Sequence, residues 1–357
     1  MDDPHLLLLG SLDTHGIAWA QAPLLSRPDS PDSAPLNASD ILLNLGFSDA
    51  AGLAGPLRGW STLMHTWKPA ALVADYAPTA LLAARAAGLP RVTIGSGFSA
   101  PPVGDPMPGL RPWLAVDPAH LARRDARLVS SVASALERAL PRAPAPRHAA
   151  ELFEADAHLV CTWPSFDPFG PRDGVEHLGP QDDGLDAREV GWLSESRPRI
   201  FAYLRPPDPR FGAVLSAIGR VAGEAIVSAP GLDPREAAAA SNARMRVIAE
   251  PVTLGAALRE ADLCVSHAGP GTTSAAAAHG VAQALLPIHL EHSLVARRLT
   301  QAGVARMLDP EDPPVDFERW LAEATNEAAR KAARNLAAET SRPALDAAER
   351  IDRWLAG

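Results

Sequence analysis

The sequence predicts an α/β protein with two Rossmann-like domains. Two series of short apolar strands alternating with helices carry that expectation, one on each side of a stretch rich in Pro, Gly and Asp, Pro164–Pro198. Alternation of strand and helix implies parallel sheets. The length, 357 residues, accommodates two domains of ~100–200 residues each. The third observation is a turn almost without side chains, "SHAGPGTTSAAAAHG" (Ser266–Gly280), between an apolar strand and a helix.

The elements follow in order. The first seventy residues are irregular, and "APLLSRPDSPDSAPLNASD" is turn and loop material. A helix is expected from near Asp49 to about Trp67, imperfect because of Pro56 and Gly59. "ALVAD" then reads as a buried strand, "TALLAARAAG" as a helix closed by Gly88, and "RVTIGS" as the next strand. A long helix, about Pro118–Leu140, precedes the strand "AHLVCT". Beyond the connecting stretch, "RIFAYLR" opens the second series. Helix "GAVLSAIGRV", strands "AIVSAP" and "RVIAEP", helix "LGAALREA" and strand "DLCVSH" follow. The alanine-rich helix, strand "AQALLP" and helix "SLVARRLTQAG" continue it, and "PALDAAERIDRWLAG" is the last of several closing helices. The expected organisation is a first domain at 1–180, a linker at 181–197 and a second domain at 198–340. A C-terminal helix at 341–357 is free to pack back on the first domain.

Composition removes several function classes. The net charge of −9 argues against a nucleic-acid footprint and against a basic membrane-surface patch. No stretch approaches ~18 unbroken apolar residues, so no membrane helix is expected. The acidic start and short apolar run of "MDDPHLLLLG" do not read as a signal peptide. A soluble cytoplasmic protein is expected. Cys161 and Cys264 both lie in apolar strand-like runs, which suits buried free thiols better than a disulfide or a metal site. There is no phosphate-binding P-loop run, no HExxH, no Gly-x-Ser-x-Gly elbow and no zinc spacing, and no metal is expected.

In an open parallel sheet, ligands bind outside the carboxyl ends of the strands. The first N–H groups of a helix lack intrahelical partners, and its dipole is positive there. Gly269 and Gly271 let the backbone approach an anion and take unusual dihedrals. Thr272 and Thr273 add hydroxyls, and His267 adds an imidazole. The turn therefore reads as a diphosphate cradle; the residues alone equally allow a tight strand-to-helix turn with a satisfied histidine.

The stretch "SHAGPGTTSAAAAHGVAQALLPIHLEHSLVARRLTQAGVA" resembles the donor-site signature of family 1 glycosyltransferases of GT-B fold. "PAALVADYAPTALLAARAAGLPRVTIGSGF" resembles the N-terminal-domain segment of that family, and "RPRIFAYLRP" sits where its donor domain begins. The resemblance implies two Rossmann-like domains facing a cleft, and metal-free transfer of a sugar from a nucleotide diphosphate sugar to a small-molecule or lipid acceptor. It implies phosphate contacts from His267, Gly271, Thr272 and Thr273, to which the turn itself adds Gly269, with Arg205 ending the first donor-domain strand nearby. Glu291 and His292 match the pair that holds the sugar hydroxyls, and Val252 lies in the loop where the family stacks its base. Asp75 matches the aspartate that orients a catalytic histidine. Local alternatives remain for each: a strand-end arginine for Arg205, a solvated turn for Glu291 and His292, a helix cap for Asp75.

The sequence departs from that pattern in three ways. The usual opening strand, Gly-rich loop and its histidine, and helix have no match, so the N-terminal domain is expected to be incomplete and without the family's base, with His15 the next residue to test for that role. Ala275 occupies the position of a ribose-binding glutamate. His292 replaces the usual glutamine and Ala282 a proline. A non-catalytic sugar-nucleotide-binding or auxiliary protein is therefore a second expectation, and a sugar-nucleotide epimerase a third.

Overall fold

A computed structural model describes residues 16–26, 34–181, 188–309, 316–339 and 344–356. Within them the chain forms two compact units. Residues up to Arg91 together with Pro102–Asp156 make the first, and Val92–Pro101 with the chain from Ala157 onward make the second.

The first unit is mainly helical. Helices α1 (Ala38–Leu42), α2 (Ala50–Trp67), α3 (Pro78–Ala87) and α4 (Pro118–Ala139) belong to it, with strand β1 (Leu72–Ala74) between α2 and α3. Their ends follow from local chemistry. The Asn37, Asp49 and Asp117 side chains accept backbone N–H groups at the starts of α1, α2 and α4. Gly88 closes α3 in the left-handed conformation, φ +67. Helix α2 runs through Pro56 and keeps Leu53 and Leu57 buried, as α4 does Leu128, Val132 and Leu136. One buried carboxylate ties the loops together. Asp125 accepts from Asn37 Nδ2 (2.9 Å), Ser39 Oγ (2.6 Å) and the Met107 N–H (2.7 Å).

The second unit contains two parallel sets of strands. In one, β3 (Ala157–Val160) lies between β2 (Arg91–Gly95) and β4 (Glu176–His177), with Val92 beside Ala157 and Leu159 beside Glu176. The stretch expected to be a plain connection thus supplies a strand, two residues long and too short to show a period. The other set is a six-stranded sheet of β5 (Arg199–Tyr203), β6 (Glu224–Ser228), β7 (Met245–Ile248), β8 (Leu263–Ser266), β9 (Ala282–Leu285) and β10 (Ala305–Met307). Its order is β10-β9-β8-β5-β6-β7, and every pair is parallel. The chain starts at β5, moves out through β6 and β7, and returns to β8 on the other side. That reversal creates a switch point between β5 and β8, where a doubly wound sheet leaves a crevice at its carboxyl edge.

Helices α5 (Phe211–Val221), α6 (Pro234–Ala240), α7 (Leu254–Leu258), α8 (Pro270–Ala278), α9 (Leu290–Gln301), α10 (Phe317–Ala324) and α11 (Glu327–Glu339) complete that layer. The sheet core is Ile200, Ala202, Ala225, Val227, Leu263, Val265, Ala282 and Ala284, all buried, with Val214 and Ile218 of α5 packed on them. Such continuous burial explains the unbroken apolar runs in the sequence. The last helix, α12 (Ala347–Ala356), lays Ile351 and Trp354 against Val92, Leu159 and Leu178. Neither cysteine is in a disulfide; Cys264 is buried and Cys161 half-buried.

Candidate functional site

The site grows from the switch point. Strand β5 ends at Tyr203 and runs into "LRPPDPR", while β8 ends at Ser266 and runs into His267 and helix α8. The sheet register sets Tyr203 beside Ser266, which brings the two chain exits together. His267 joins them. Its Nδ1–H donates to the Leu286 carbonyl (2.9 Å), and its Nε2 accepts the Arg205 backbone N–H (2.9 Å). Both ring nitrogens are thereby engaged by backbone, and the tautomer is fixed. Burial pushes the imidazole pKa below its ordinary value; the Leu286 bond and Asp208 act in the opposite direction.

Around that histidine lies a group the sequence did not single out. Asp208 grips Arg210 with both carboxylate oxygens (Oδ1 to Nε 2.9 Å, Oδ2 to Nη2 2.7 Å), and Arg210 also donates to the Pro287 carbonyl (3.0 Å). Burial opposes ionisation of Asp208, yet the hydrogen bonds and charge of Arg210 hold its pKa below the ordinary value. A forked arginine–carboxylate pair of this kind fixes direction as well as distance. Arg205, Pro207, Asp208, Pro209, Arg210, Pro287 and Ile288 line an open cavity of about 550 Å³. Arg205 is exposed, and no described residue pairs with its guanidinium.

Helix α8 starts without a side-chain cap. Pro270, in the first turn, has no N–H to satisfy, and the Thr273 N–H bonds to the Gly269 carbonyl (3.0 Å). That leaves the Gly271 and Thr272 amides as the open donors within the first turn of the helix. A side chain at Gly271 would find no atom within 4 Å. The unusual dihedral expected of the glycines falls instead on Ala268, φ +67, while Gly269 has φ −64. Thr273 turns its hydroxyl back onto the Gly269 (2.9 Å) and Pro270 (3.1 Å) carbonyls and is buried.

The start of α9 borders the same place. His289 precedes it, and the His289 and His292 rings lie 3.5 Å apart between centroids, tilted by 34°. A Cβ at Gly269 would sit 3.8 Å from His292 Nε2. His292 is 8% exposed, and its Nδ1 has no hydrogen-bond partner. Burial, then His289, His267 and Arg205, hold its pKa down at about 3. Burial and Arg205 lower His289 as well. Two neutral imidazoles therefore stand beside open amides and an unpaired arginine. Glu291 accepts a hydrogen bond from the Ser96 hydroxyl, just beyond the carboxyl end of β2.

The remaining expected positions lie as follows. Val252 is buried among Val190, Ile248 and Ala257, so the loop offers its backbone edge, which bridges to Arg188. Asp75 is exposed in the first unit, and no described histidine hydrogen-bonds to it. His15 lies outside the described residues. A bonded Asp–His pair does occur elsewhere: His177 Nε2–H donates to Asp167 Oδ2 (3.1 Å). Asp208 and Arg210 were readable in principle, as charged residues in the loop that follows a strand. Asp167 and His177 were not, since they lie in a stretch without period. Among the described residues no group of three or more His, Cys, Asp or Glu is placed to hold a metal, and no helix is long and apolar enough to cross a membrane.

Known proteins resemble this chain in sequence over one segment and in fold over most of its length. Residues 212–348 match the family described as erythromycin biosynthesis protein CIII-like, C-terminal domain. No curated protein matches the sequence. Among solved structures, the glycotransferase of kitacinnamycin superposes with a TM-score of 0.68 at 17% identity, over 97% of this chain and 89% of that one. The spinosyn rhamnosyltransferase SpnG complexed with spinosyn aglycone gives 0.64 at 19%, over 98% and 90%. The glycosyltransferase SsfS6 of Streptomyces sp. SF2575, complexed with thymidine diphosphate, gives 0.58 at 18%, over 92% and 84%. The chain therefore has the GT-B fold, and its residues 212–348 are similar to the EryCIII-like C-terminal domain.

Proposed function

We propose that this protein transfers a sugar from a nucleotide diphosphate sugar to a small acceptor. The observation that carries the reading is the uncapped start of α8: two open amides, clear space over Gly271, and an arginine free to pair with an anion. A helix N-terminus with a nearby guanidinium is suited to a diphosphate. In this reading the Gly271 and Thr272 amides and Arg205 take the diphosphate, and Gly269 lets it approach. His267 and Thr273 hold the loop through the bonds described above. Glu291 and His292 face the sugar, and the nucleobase lies against the backbone around Val252. SsfS6 was solved with thymidine diphosphate and SpnG with an aglycone, which supports this pair of ligand classes.

The reaction needs negative charge on the leaving diphosphate to be met where it develops. Fixed dipoles and an arginine do this without reorganising at the moment of reaction, so we assign the transfer no metal. The same reading makes the acceptor a small molecule or lipid and the setting cytoplasmic.

Calorimetric titration with thymidine and uridine diphosphate, in buffer containing EDTA, tests it. Wild type should bind at least one of them. Gly271→Val should weaken that binding at least ~10-fold, about 1.4 kcal/mol, without lowering Tm, because the new side chain enters only the ligand's space. Equal Kd values for the two proteins would refute the assignment.

A further inference from the structure

We propose that His177, positioned by Asp167, is the base that takes the acceptor's proton; this rests on the transfer reading above. His177 is the last residue of β4, and Gly95 the last of β2, so both strands present their carboxyl ends at the place where parallel sheets bind ligands. The Asp167 side chain is fully buried. Its Oδ1 accepts the Phe169 N–H (2.8 Å), and its Oδ2 accepts from Arg172 Nη2 (3.1 Å) and His177 Nε2 (3.1 Å). A carboxylate paired with a guanidinium is ionised, so the His177 Nε2 carries the hydrogen. The lone pair then lies on Nδ1, which has no partner among the described residues. Asp167 fixes the tautomer and would stabilise the imidazolium that forms, the division of roles used by histidine bases held by a buried aspartate.

The pair is held rigidly. Arg172 also donates to the Gly97 carbonyl (3.1 Å) and lies over the Phe169 ring at 5.3 Å, and Phe169 stacks on Phe98. Gly97 has φ +94, and a Cβ there would come within 3.0 Å of Asp167 Oδ2. The next residue back, Ser96, is the one that bonds Glu291. Asp167, Gly97, Ser96 and Glu291 thus connect the pair to the first turn of α9, beside the proposed diphosphate site. A purely structural role does not require the histidine, because Arg172 and Phe169 already satisfy the carboxylate.

In the step, the acceptor hydroxyl proton moves to His177 Nδ1 and its oxygen bonds to the sugar anomeric carbon. The bond from that carbon to the diphosphate oxygen breaks, and its electron pair leaves with the diphosphate. No other reactant is needed.

The experiment compares wild type, His177→Gln and His177→Ala, with turnover of a thymidine diphosphate sugar and calorimetric binding of thymidine diphosphate measured on each. A positioned base contributes ~10²–10⁴-fold to rate. His177→Gln should therefore lose at least ~100-fold in kcat and keep its Kd within twofold, and added imidazole should restore part of the turnover of His177→Ala, a rescue that a structural role would not give. Turnover within threefold of wild type in His177→Gln, or no imidazole rescue, overturns the assignment and leaves the transfer reading standing. Wild type that binds no diphosphate and transfers nothing removes both.

Discussion

Replacing His292 by Gln should make the protein's stability less sensitive to acid. His292 is 8% exposed, its Nδ1 is unpaired, and its pKa lies at about 3 against an ordinary 6.5. Burial is the main cause, with His289, His267 and Arg205 adding like charge. A histidine with a lowered folded-state pKa stays neutral in the native protein while the unfolded chain takes up a proton. Stability is therefore intact above pH 6.5 and is lost as pH falls toward 3. At about 1.4 kcal/mol per pH unit, the whole interval sets a ceiling of roughly 5 kcal/mol, and the step from pH 6.5 to 5 about 2 kcal/mol. Urea unfolding at pH 7 and pH 5 measures this. His289 and His267 are lowered too and steepen the loss in both proteins, so the quantity to read is the difference between the two slopes. Wild type should lose about 2 kcal/mol more than His292→Gln between those pH values. Parallel slopes would show that His292 is solvated or paired, and that the neutral imidazole pair is wrongly drawn.

Two further outcomes follow from the same cluster. A bound diphosphate places negative charge beside His289 and His292 and raises their pKa, so calorimetry near pH 6 in two buffers of different ionisation enthalpy should reveal proton uptake on binding, absent in the His289→Gln, His292→Gln double variant. Asp208→Asn breaks the forked pair with Arg210, whose side chains are 4% and 19% exposed, and should cost about 3 kcal/mol in urea unfolding, whereas an unchanged midpoint would mean that Arg210 finds other partners.

The strands and helices of the six-stranded sheet are legible because burial on both faces makes its strands continuous apolar runs, and because caps such as Asp233 and Asp316 mark helix starts at single positions. The α8 turn is legible for a different reason: side chains are missing from it. What sequence cannot supply is convergence. Ser96 and Glu291 meet across nearly two hundred residues, and the His289–His292 stack depends on how α9 is rotated, which its own sequence does not fix. Strand β4 pairs by only two residues, so neither its existence nor the position of His177 at its end leaves a periodic trace. Even in the recognised turn, the strained dihedral moved one residue, from glycine to Ala268, because Gly269 takes the helix N-cap position instead.

The central claim is that the open start of α8 holds the donor's diphosphate. The most direct measurement is a crystal structure of the 357-residue chain with thymidine diphosphate bound. The account predicts the terminal phosphate at ~2.7–3.2 Å from the Gly271 and Thr272 amide nitrogens, with the Arg205 guanidinium turned onto it and His267 still bonded to Arg205 N–H and Leu286. A diphosphate seated anywhere else, with those two amides still open, would contradict it.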